Sequence, residues 1–191
     1  SEAELITMTE SCVIIGLGQI GMNYDYNYGS AIFTHARAID KHPKFRLVGA
    51  VDISSKQRNY FEKRYALPTF DDPELAVKKL QPDLVVIATP TELHSSILSK
   101  VINASQPKII LCEKPLAYEL DVAKNMVNMC KKAGIDLFVN YMRRVDIGVL
   151  EIKRRIEIGK ISTPIKANVW YSKGLLNNGS HFLNLSDLWL G

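Results

Sequence analysis

Short apolar runs alternate with amphipathic stretches along the first three-quarters of the chain. The runs are too short for helices and predict buried β-strands; they lie at residues 11–15, 45–51, 83–88, 108–112 and 135–140. Between them, apolar residues recur at helical spacing. Strands that alternate with helices predict an α/β fold with a parallel, doubly wound sheet and right-handed crossovers.

Capping residues and prolines set the expected limits of the helices. Ser30 is the expected N-cap of a first helix that Pro43 ends, and Ser54 caps a second helix that runs to about Tyr65. Similar signals predict further helices at 73–80, from Thr91 onwards and at 119–133. Residues 1–10 have only weak helical character.

The pattern changes after residue 142. A predicted helix at 146–158 precedes an alternating segment, 164–172, which predicts a strand, and a last apolar helix covers 182–190. No second strand is visible to pair with 164–172, and a lone strand leaves backbone groups unpaired. We therefore expect a sheet domain over 1–142. Residues 143–191 are expected to begin an incomplete α+β domain, which a longer chain or a partner chain completes.

The composition excludes several functional classes. Of the 191 residues, 47% are hydrophobic, and the formal net charge is +4. Lys and Arg are spread along the chain, and clusters such as 153–155 are typical of a solvated helix face, so nucleic-acid binding is not expected. No apolar run approaches the ~20 residues of a membrane span, and no signal-peptide pattern is visible, so no membrane association is expected.

The cysteines indicate a reducing compartment. Cys12, Cys112 and Cys130 are odd in number and far apart, which favours neither a disulfide framework nor a metal site. Cys12 and Cys112 lie in apolar runs, where cysteine behaves as a small hydrophobic residue. The cytoplasm is therefore the expected location, and no metal is expected.

A glycine turn, Gly16–Gly21, follows the first predicted strand directly and has the spacing GxGxxG. Gly16 permits a tight turn, Gly18 leaves the backbone open to a pyrophosphate, and Gly21 allows close packing against a following helix; Gln19 and Ile20 complete the motif. The tyrosine-rich segment after Gly21 is expected to loop out before that helix begins.

An acid follows at the end of the next strand. Asp52 occupies the position where a carboxylate binds the ribose hydroxyls of a dinucleotide, about ten residues later than usual. The tyrosine-rich segment 22–29 accounts for the excess. The alternative is that Asp52 only caps a helix.

Polar motifs also follow the later strands. Thr89-Pro90, Glu113-Lys114-Pro115 and Arg143-Arg144 each come directly after a predicted strand. Because ligands of open α/β sheets bind outside the carboxyl ends of the strands, these motifs and the glycine turn predict a shared dinucleotide-binding edge.

In this order the motifs resemble those of the Gfo/Idh/MocA family of nicotinamide-dependent sugar oxidoreductases. The resemblance covers about 12–191, and it includes Ile87–Pro90 with His94, Asn140–Arg144 and Gly179-Ser180-His181. It implies an N-terminal Rossmann domain that holds NAD or NADP. It also implies a larger α+β domain that binds a carbohydrate substrate and forms the interface of a homo-oligomer. Only the first half of such a protein, or slightly more, is matched.

The resemblance implies roles for several residues. Lys114 matches the lysine that contacts the reacting oxygen, where a cation stabilises developing alkoxide charge; the alternative is a surface lysine. His181 matches the catalytic histidine, the expected proton acceptor, and its alternative role is packing at a helix start. Glu113, Thr89 and Pro90, together with Lys114, are expected to line the cofactor cleft.

The implied substrate site contains two departures from the family pattern. The residues expected to bind substrate are Lys114, Arg144, Asn177 and His181. Asn177 and Asn184 stand where family members commonly have aspartate, and asparagine cannot carry charge or relay a proton. Arg143 and Arg144 either hold substrate or cofactor phosphate or form surface salt bridges. His94, on an apolar helix face, is expected to be structural.

The sequence is compatible with two functions. The first is an oxidoreductase that moves a hydride between a nicotinamide cofactor and a hydroxyl or keto group of a sugar, polyol or nucleotide-sugar. Asp52 favours NAD over NADP because it repels a 2′-phosphate, although Lys56 and Arg58 lie nearby. The second is a nicotinamide-binding or scaffold protein without turnover. The loop 24–28 either closes over the ligands or is an exposed excursion.

Overall fold

The computed structural model describes residues 9–27, 29–162 and 164–191. The chain divides into two compact units, one that ends at Phe138 and one from Val139 to Gly191. Most of the predicted weakly helical segment at 1–10 lies outside the described residues. Glu10 itself begins the first strand.

Six strands form one sheet. Their bounds are β1 Glu10–Ile15, β2 Phe45–Val51, β3 Thr69–Phe70, β4 Leu84–Ile87, β5 Ile109–Cys112 and β6 Asp136–Val139. The strand order is β3-β2-β1-β4-β5-β6, and the pairs β1–β2, β1–β4, β2–β3 and β4–β5 are parallel. This order is that of the doubly wound dinucleotide-binding fold, so the predicted fold class is confirmed.

In the described residues, seven α-helices connect or follow the strands. In the first unit they are α1 His35–Lys41, α2 Ser55–Tyr65, α3 Pro73–Leu80, α4 His94–Ala104 and α5 Leu120–Ala133. In the second unit they are α6 Ile147–Glu157 and α7 Ser180–Leu190. Two predicted caps form as expected: the Ser54 hydroxyl accepts the Gln57 N–H, and Asp72 accepts the first N–H groups of α3.

The core lies on both faces of the sheet, which is why the strands are almost continuously apolar. Val13 and Ile15 of β1 face the cluster formed with α3, α4 and α5. Cys12 and Ile14, the alternate residues, face the cluster formed with α1 and α2, where Phe61 is fully buried. Successive strand residues point to opposite faces, so one apolar run serves two cores.

An apolar groove lies on the α1 face of the sheet. It has a volume of about 310 Å³ and is lined by His35, Ala38, Ile39, His42, Phe45, Leu84, Val86, Ile109, Leu111 and Phe138. Phe138 is 55% exposed. The contributions of α1 and the alternate residues of β4 and β5 make this groove almost entirely hydrophobic.

The first helix begins later than the sequence predicts. Ser30 is not its N-cap: α1 begins at His35, and Thr34 caps it by accepting the Arg37 N–H. The cause is Asp25, a fully buried residue whose carboxylate accepts the backbone N–H groups of Phe33 and Thr34. These bonds accompany an extended backbone at Thr34, which is the N-cap, so the helix begins after it.

The strand predicted at 164–172 is also wrong. Residues 164–174 form no regular secondary structure, and a π-helical turn, Leu175–Gly179, leads into α7. Alternating polarity alone does not make a strand, because the ladder hydrogen bonds need a partner. Within the described part of the second unit, no other strand offers one.

Candidate functional site

The glycine turn after β1 has a backbone that only glycine allows at two positions. Gly16 has φ +100°, and a Cβ there would lie 2.6 Å from the Ala88 carbonyl oxygen. A Cβ on Gly21 would lie 2.1 Å from the Gly16 carbonyl oxygen. Gly18 differs, because a Cβ on it would meet nothing within 4 Å. Gly18 therefore faces open space, as a residue under a ligand would.

A short π-helical turn, Gln19–Asn23, follows Gly18 directly. The amides of Met22 and Asn23 both donate to the Gly18 carbonyl oxygen, at 2.9 and 3.1 Å. Gln19, Ile20 and Gly21 thus belong to a tight helical turn that continues through Met22 and Asn23. The excursion expected before the first helix follows this turn, and α1 begins only at His35.

Asp52 is tied to the glycine turn. Its Oδ2 accepts the Leu17 N–H and its Oδ1 accepts the Ser54 N–H, both at 2.8 Å. Ser54, not Asp52, is the N-cap of α2, so the alternative role of Asp52 as the capping acid does not describe it. A carboxylate has about four acceptor positions, which leaves capacity for two ribose hydroxyls.

A cleft of about 460 Å³ opens beside this turn. Its lining combines glycine backbone, apolar side chains and carboxylates: Ile15, Gly16, Gly18, Val51, Asp52, Ile53, Asp71, Asp72, Pro73, Ala88, Thr89, Pro90, Leu93, Ser96, Ile97 and Lys100. The volume is within the range of ligand pockets, and a mostly apolar wall with a few polar groups is typical of them. The cleft therefore has the size and lining of a small-molecule site.

Thr89 and Pro90 line this cleft, at the end of β4. The Thr89 Oγ1 is buried and has no hydrogen-bond partner among the described residues. A buried hydroxyl without a partner is costly, so this group fits a ligand that supplies the missing bond.

His94 connects two loops of the site. It is fully buried, with Nε2 2.9 Å from the Thr89 carbonyl oxygen and Nδ1 3.1 Å from that of Leu116. Both partners are acceptors, so a neutral imidazole donates to only one of them. These contacts support the structural role expected for His94.

Glu113 and Lys114 follow β5 directly. The Glu113 N–H continues the sheet by donating to the Ile87 carbonyl oxygen at 2.9 Å, and Glu113 Oε2 accepts the Lys114 N–H at 3.3 Å. The Lys114–Pro115 peptide bond is cis. Glu113 also bonds to His35, whose Nε2 lies 2.8 Å from Oε1.

The charges around the cleft bear on the choice of cofactor. Three carboxylates line it, at Asp52, Asp71 and Asp72. Arg58 donates to the Asp52 and Ile53 carbonyl oxygens, at 2.8 and 3.1 Å. Carboxylates at this end disfavour a 2′-phosphate, which agrees with the preference for NAD over NADP.

The second unit contains His181 at the start of α7. The histidine is 7% exposed, and the Tyr141 ring packs edge-on against its imidazole with centroids 5.7 Å apart. One turn later, Asn184 Oδ1 is buried without a hydrogen-bond partner among the described residues. The His181 side chain and the Asn184 amide oxygen are thus buried polar groups one turn apart on α7.

Arg143 and Arg144 of the second unit contact α7. The Arg143 guanidinium lies over the Phe182 ring at 5.5 Å, and Arg144 Nη1 lies 3.5 Å from Asp187 Oδ2. An exposed ion pair at this distance contributes little to stability. Asn177 lies in the π-helical turn just before α7.

The described residues contain neither a reactive thiol nor a cluster of metal ligands. Burial raises the pKa of the Cys112 thiol to about 12, and it also raises the pKa values of Cys12 and Cys130. These thiols are therefore unreactive at neutral pH. Across residues 9–27, 29–162 and 164–191, no His, Cys, Asp and Glu side chains group as metal ligands, and no helix is long and apolar enough to cross a membrane.

Sequence reasoning missed two residues of the site. Asp25 lies in a polar, turn-prone segment, and nothing in the local pattern shows that it is buried. His35 meets Glu113 across 78 positions of sequence, a pairing that no local pattern reveals. The sequence showed only that His35 shares helical spacing with Ala38 and Ile39 after the glycine turn.

Comparisons with known proteins agree with this geometry. Residues 11–141 match the family model GFO_IDH_MocA, described as an oxidoreductase family with an NAD-binding Rossmann fold. The scyllo-inositol 2-dehydrogenase (NAD(+)) of Bacillus subtilis strain 168 is 28% identical over 155 residues, which are 81% of this chain and 42% of that protein. The chain thus spans less than half the length of this relative.

Two solved structures share the fold. The WlbA dehydrogenase of Bordetella pertussis, in complex with NADH and UDP-GlcNAcA, has a TM-score of 0.78 at 24% identity, over 96% of this chain and 56% of that one. An oxidoreductase of Agrobacterium radiobacter, in complex with NAD+, L-tartaric acid and magnesium, has a TM-score of 0.80 at 19% identity, over 96% and 55%. At this identity the likeness concerns the fold.

Proposed function

The chain belongs to the Gfo/Idh/MocA oxidoreductase family, whose Rossmann fold binds NAD, and on that premise we propose that it serves hydride transfer. The reaction interconverts a hydroxyl and a keto group of a sugar, polyol or nucleotide-sugar. The names of an inositol dehydrogenase relative and of a structural neighbour with a bound nucleotide-sugar support this substrate class.

The observation that carries the proposal is the composition of the cleft. Open backbone at Gly18, the Asp52 carboxylate and the partnerless Thr89 hydroxyl line one cavity. These groups match the pyrophosphate, the ribose hydroxyls and a further polar atom of a dinucleotide. Gly16 and Gly21 shape the turn, and Gln19, Ile20, Pro90 and Glu113 complete the proposed cofactor contacts.

Lys114 is the proposed electrostatic catalyst. NAD supplies the hydride-accepting chemistry when it is bound. The ammonium of Lys114 stabilises the negative charge that develops on the reacting oxygen, an effect that strengthens in the transition state. The backbone bond from Lys114 to the Glu113 carboxylate supports a fixed direction for this turn.

His181 is the proposed proton acceptor, with Arg144 and Asn177 as substrate contacts. Its near-complete burial and the edge contact from Tyr141 restrict the ring's orientation. A positioned imidazole can act as a general base and accept the proton of a hydroxyl. In the domain assignment that we propose, 1–142 hold the cofactor, and 143–191 begin a domain for substrate binding and homo-oligomer formation.

The second candidate function is cofactor binding without turnover. Asn184 favours it, because its buried amide oxygen lacks a partner and cannot relay a proton. The proposed location for either function is the cytoplasm, where three buried, unpaired thiols remain reduced.

Calorimetric titration with NAD(H) and NADP(H) tests the shared premise, and absence of saturable binding to either cofactor refutes it. A panel of inositols, sugars and nucleotide-sugars, followed by NADH absorbance, then separates the two functions. Lys114→Ala should abolish turnover, whereas NADH binding, to which the glycine turn and Asp52 also contribute, should weaken much less. Lys124→Ala, an exposed lysine on α5, is the matched control. Binding without turnover on the whole panel supports the second function.

A further inference from the structure

The segment between the glycine turn and α1 is anchored by one buried carboxylate. Asp25 is fully buried, and its oxygens accept the Phe33 N–H at 2.7 Å, the Thr34 N–H at 2.9 Å and the Thr34 hydroxyl at 2.9 Å. Thr34 in turn caps α1. A carboxylate that accepts three hydrogen bonds holds its partners firmly, so Asp25 fixes where α1 begins.

The hydrogen bonds of Asp25 fix the position of His35. It is the first residue of α1, and its imidazole Nε2 lies 2.8 Å from Glu113 Oε1. Since a carboxylate only accepts, Nε2–H is the donor. The two side chains are only 11% and 12% exposed, so solvent screens the contact weakly and the bond restricts the Glu113 rotamer.

Glu113 passes this restriction to its neighbour. Its second carboxylate oxygen accepts the Lys114 N–H at 3.3 Å, and its own N–H is bonded to β4 at 2.9 Å. One continuous set of bonds therefore runs from Asp25 through Thr34 and His35 to the turn that carries Lys114.

We propose that His35 is a positioning residue for Lys114, and that Asp25 and Thr34 serve this role by holding His35 beside Glu113. The inference rests on the proposed role of Lys114. In this proposal, Asp25 holds the start of α1 in place. This role differs from both expectations for the loop 24–28, which were closure over the ligands and an exposed excursion.

The test compares three variants. His35→Leu removes the donor, His35→Gln keeps an N–H donor of similar reach, and His42→Gln changes an exposed histidine just after α1 as the matched control. Amide hydrogen exchange is measured at Lys114 and at 33–35. We expect faster exchange at Lys114 in His35→Leu, partial recovery in His35→Gln and no change in His42→Gln.

Kinetics supply the second readout. His35→Leu should lower kcat by about tenfold or more, because small displacements of catalytic groups are costly, while the KM for NAD changes by less than about threefold. The double variant His35→Leu/Glu113→Gln should lose less kcat than the product of the two single losses, since residues that act as a unit are non-additive. Glu113→Gln preserves size, so it also serves if His35→Leu folds poorly.

The outcomes distinguish the positioning role of His35 from the proposed hydride-transfer function. Unchanged exchange at Lys114 in His35→Leu, or additive losses in the double variant, overturns the positioning role. If the wild-type chain turns over no substrate but the exchange response persists, the proposed function fails and the positioning role stands.

Discussion

Replacing Gly18 by alanine separates cofactor binding from folding. Gly18 has φ −70° and ψ −156°, and a Cβ on it meets nothing within 4 Å. Alanine adopts this backbone without strain, and it reduces the conformational freedom of the unfolded chain. The free energy of unfolding should therefore stay level or rise by about 0.4–1 kcal/mol.

Gly18→Ala should weaken cofactor binding even though it does not weaken the fold. The new methyl group occupies the space over the turn where a pyrophosphate approaches the backbone. We expect the Kd for NADH to rise at least about tenfold, which corresponds to roughly 1.4 kcal/mol. Gly21→Ala provides the contrast, because its Cβ would lie 2.1 Å from a backbone oxygen and should cost about 1–3 kcal/mol of stability.

Urea unfolding and calorimetric NADH titration of both variants check this pair. Wild-type NADH affinity in a stable Gly18→Ala protein would refute the placement of the pyrophosphate over Gly18. A loss of stability in Gly18→Ala as large as that in Gly21→Ala would refute the open space above it.

Three further outcomes are expected. Asp52→Asn should weaken NAD binding by about tenfold and narrow the preference over NADP, measured by titration with both cofactors, because the charge that repels a 2′-phosphate is lost. Phe61→Ala should cost about 3–5 kcal/mol in urea unfolding, since the ring is fully buried. Hydrogen bonds from the Ser11 hydroxyl and amide hold the pKa of Asp83 below its usual value. The stability that Asp83 contributes is therefore present above the unfolded pKa of about 3.9 and is lost as the pH falls below it. Asp83→Asn should flatten this acid limb in unfolding measured across a pH series.

The strands were predictable because both faces of the sheet are covered. Five of them lie in apolar runs, although Arg46 interrupts β2, and only β3, two residues long, left no signal. The strand predicted at 164–172 failed for the opposite reason: the alternation was present, but pairing depends on another segment. The start of α1 failed because its cap is set by Asp25, nine positions before Thr34.

The sequence predicted which residues lie at the site better than it predicted the hydrogen bonds among them. Each motif at a strand end falls beside the sheet edge because parallel strands end together, so Asp52, Thr89 and Glu113 needed only a strand assignment. The bonds among these groups were not predictable. Leu17 to Asp52 and His35 to Glu113 join residues 35 and 78 positions apart, and only the folded backbone brings them together.

The apolar groove between α1 and the β4–β5 strands affects how unfolding can be followed. Dyes such as ANS fluoresce on apolar surface and are commonly used as reporters of loosened packing. A groove lined by Phe45, Leu111 and Phe138 offers such a dye a site on the folded chain. A dye-based melt would therefore begin from a bright baseline, and a fluorescence decrease on heating would signal loss of the native groove. Circular dichroism reports on the backbone, so its signal does not depend on dye bound to the folded chain.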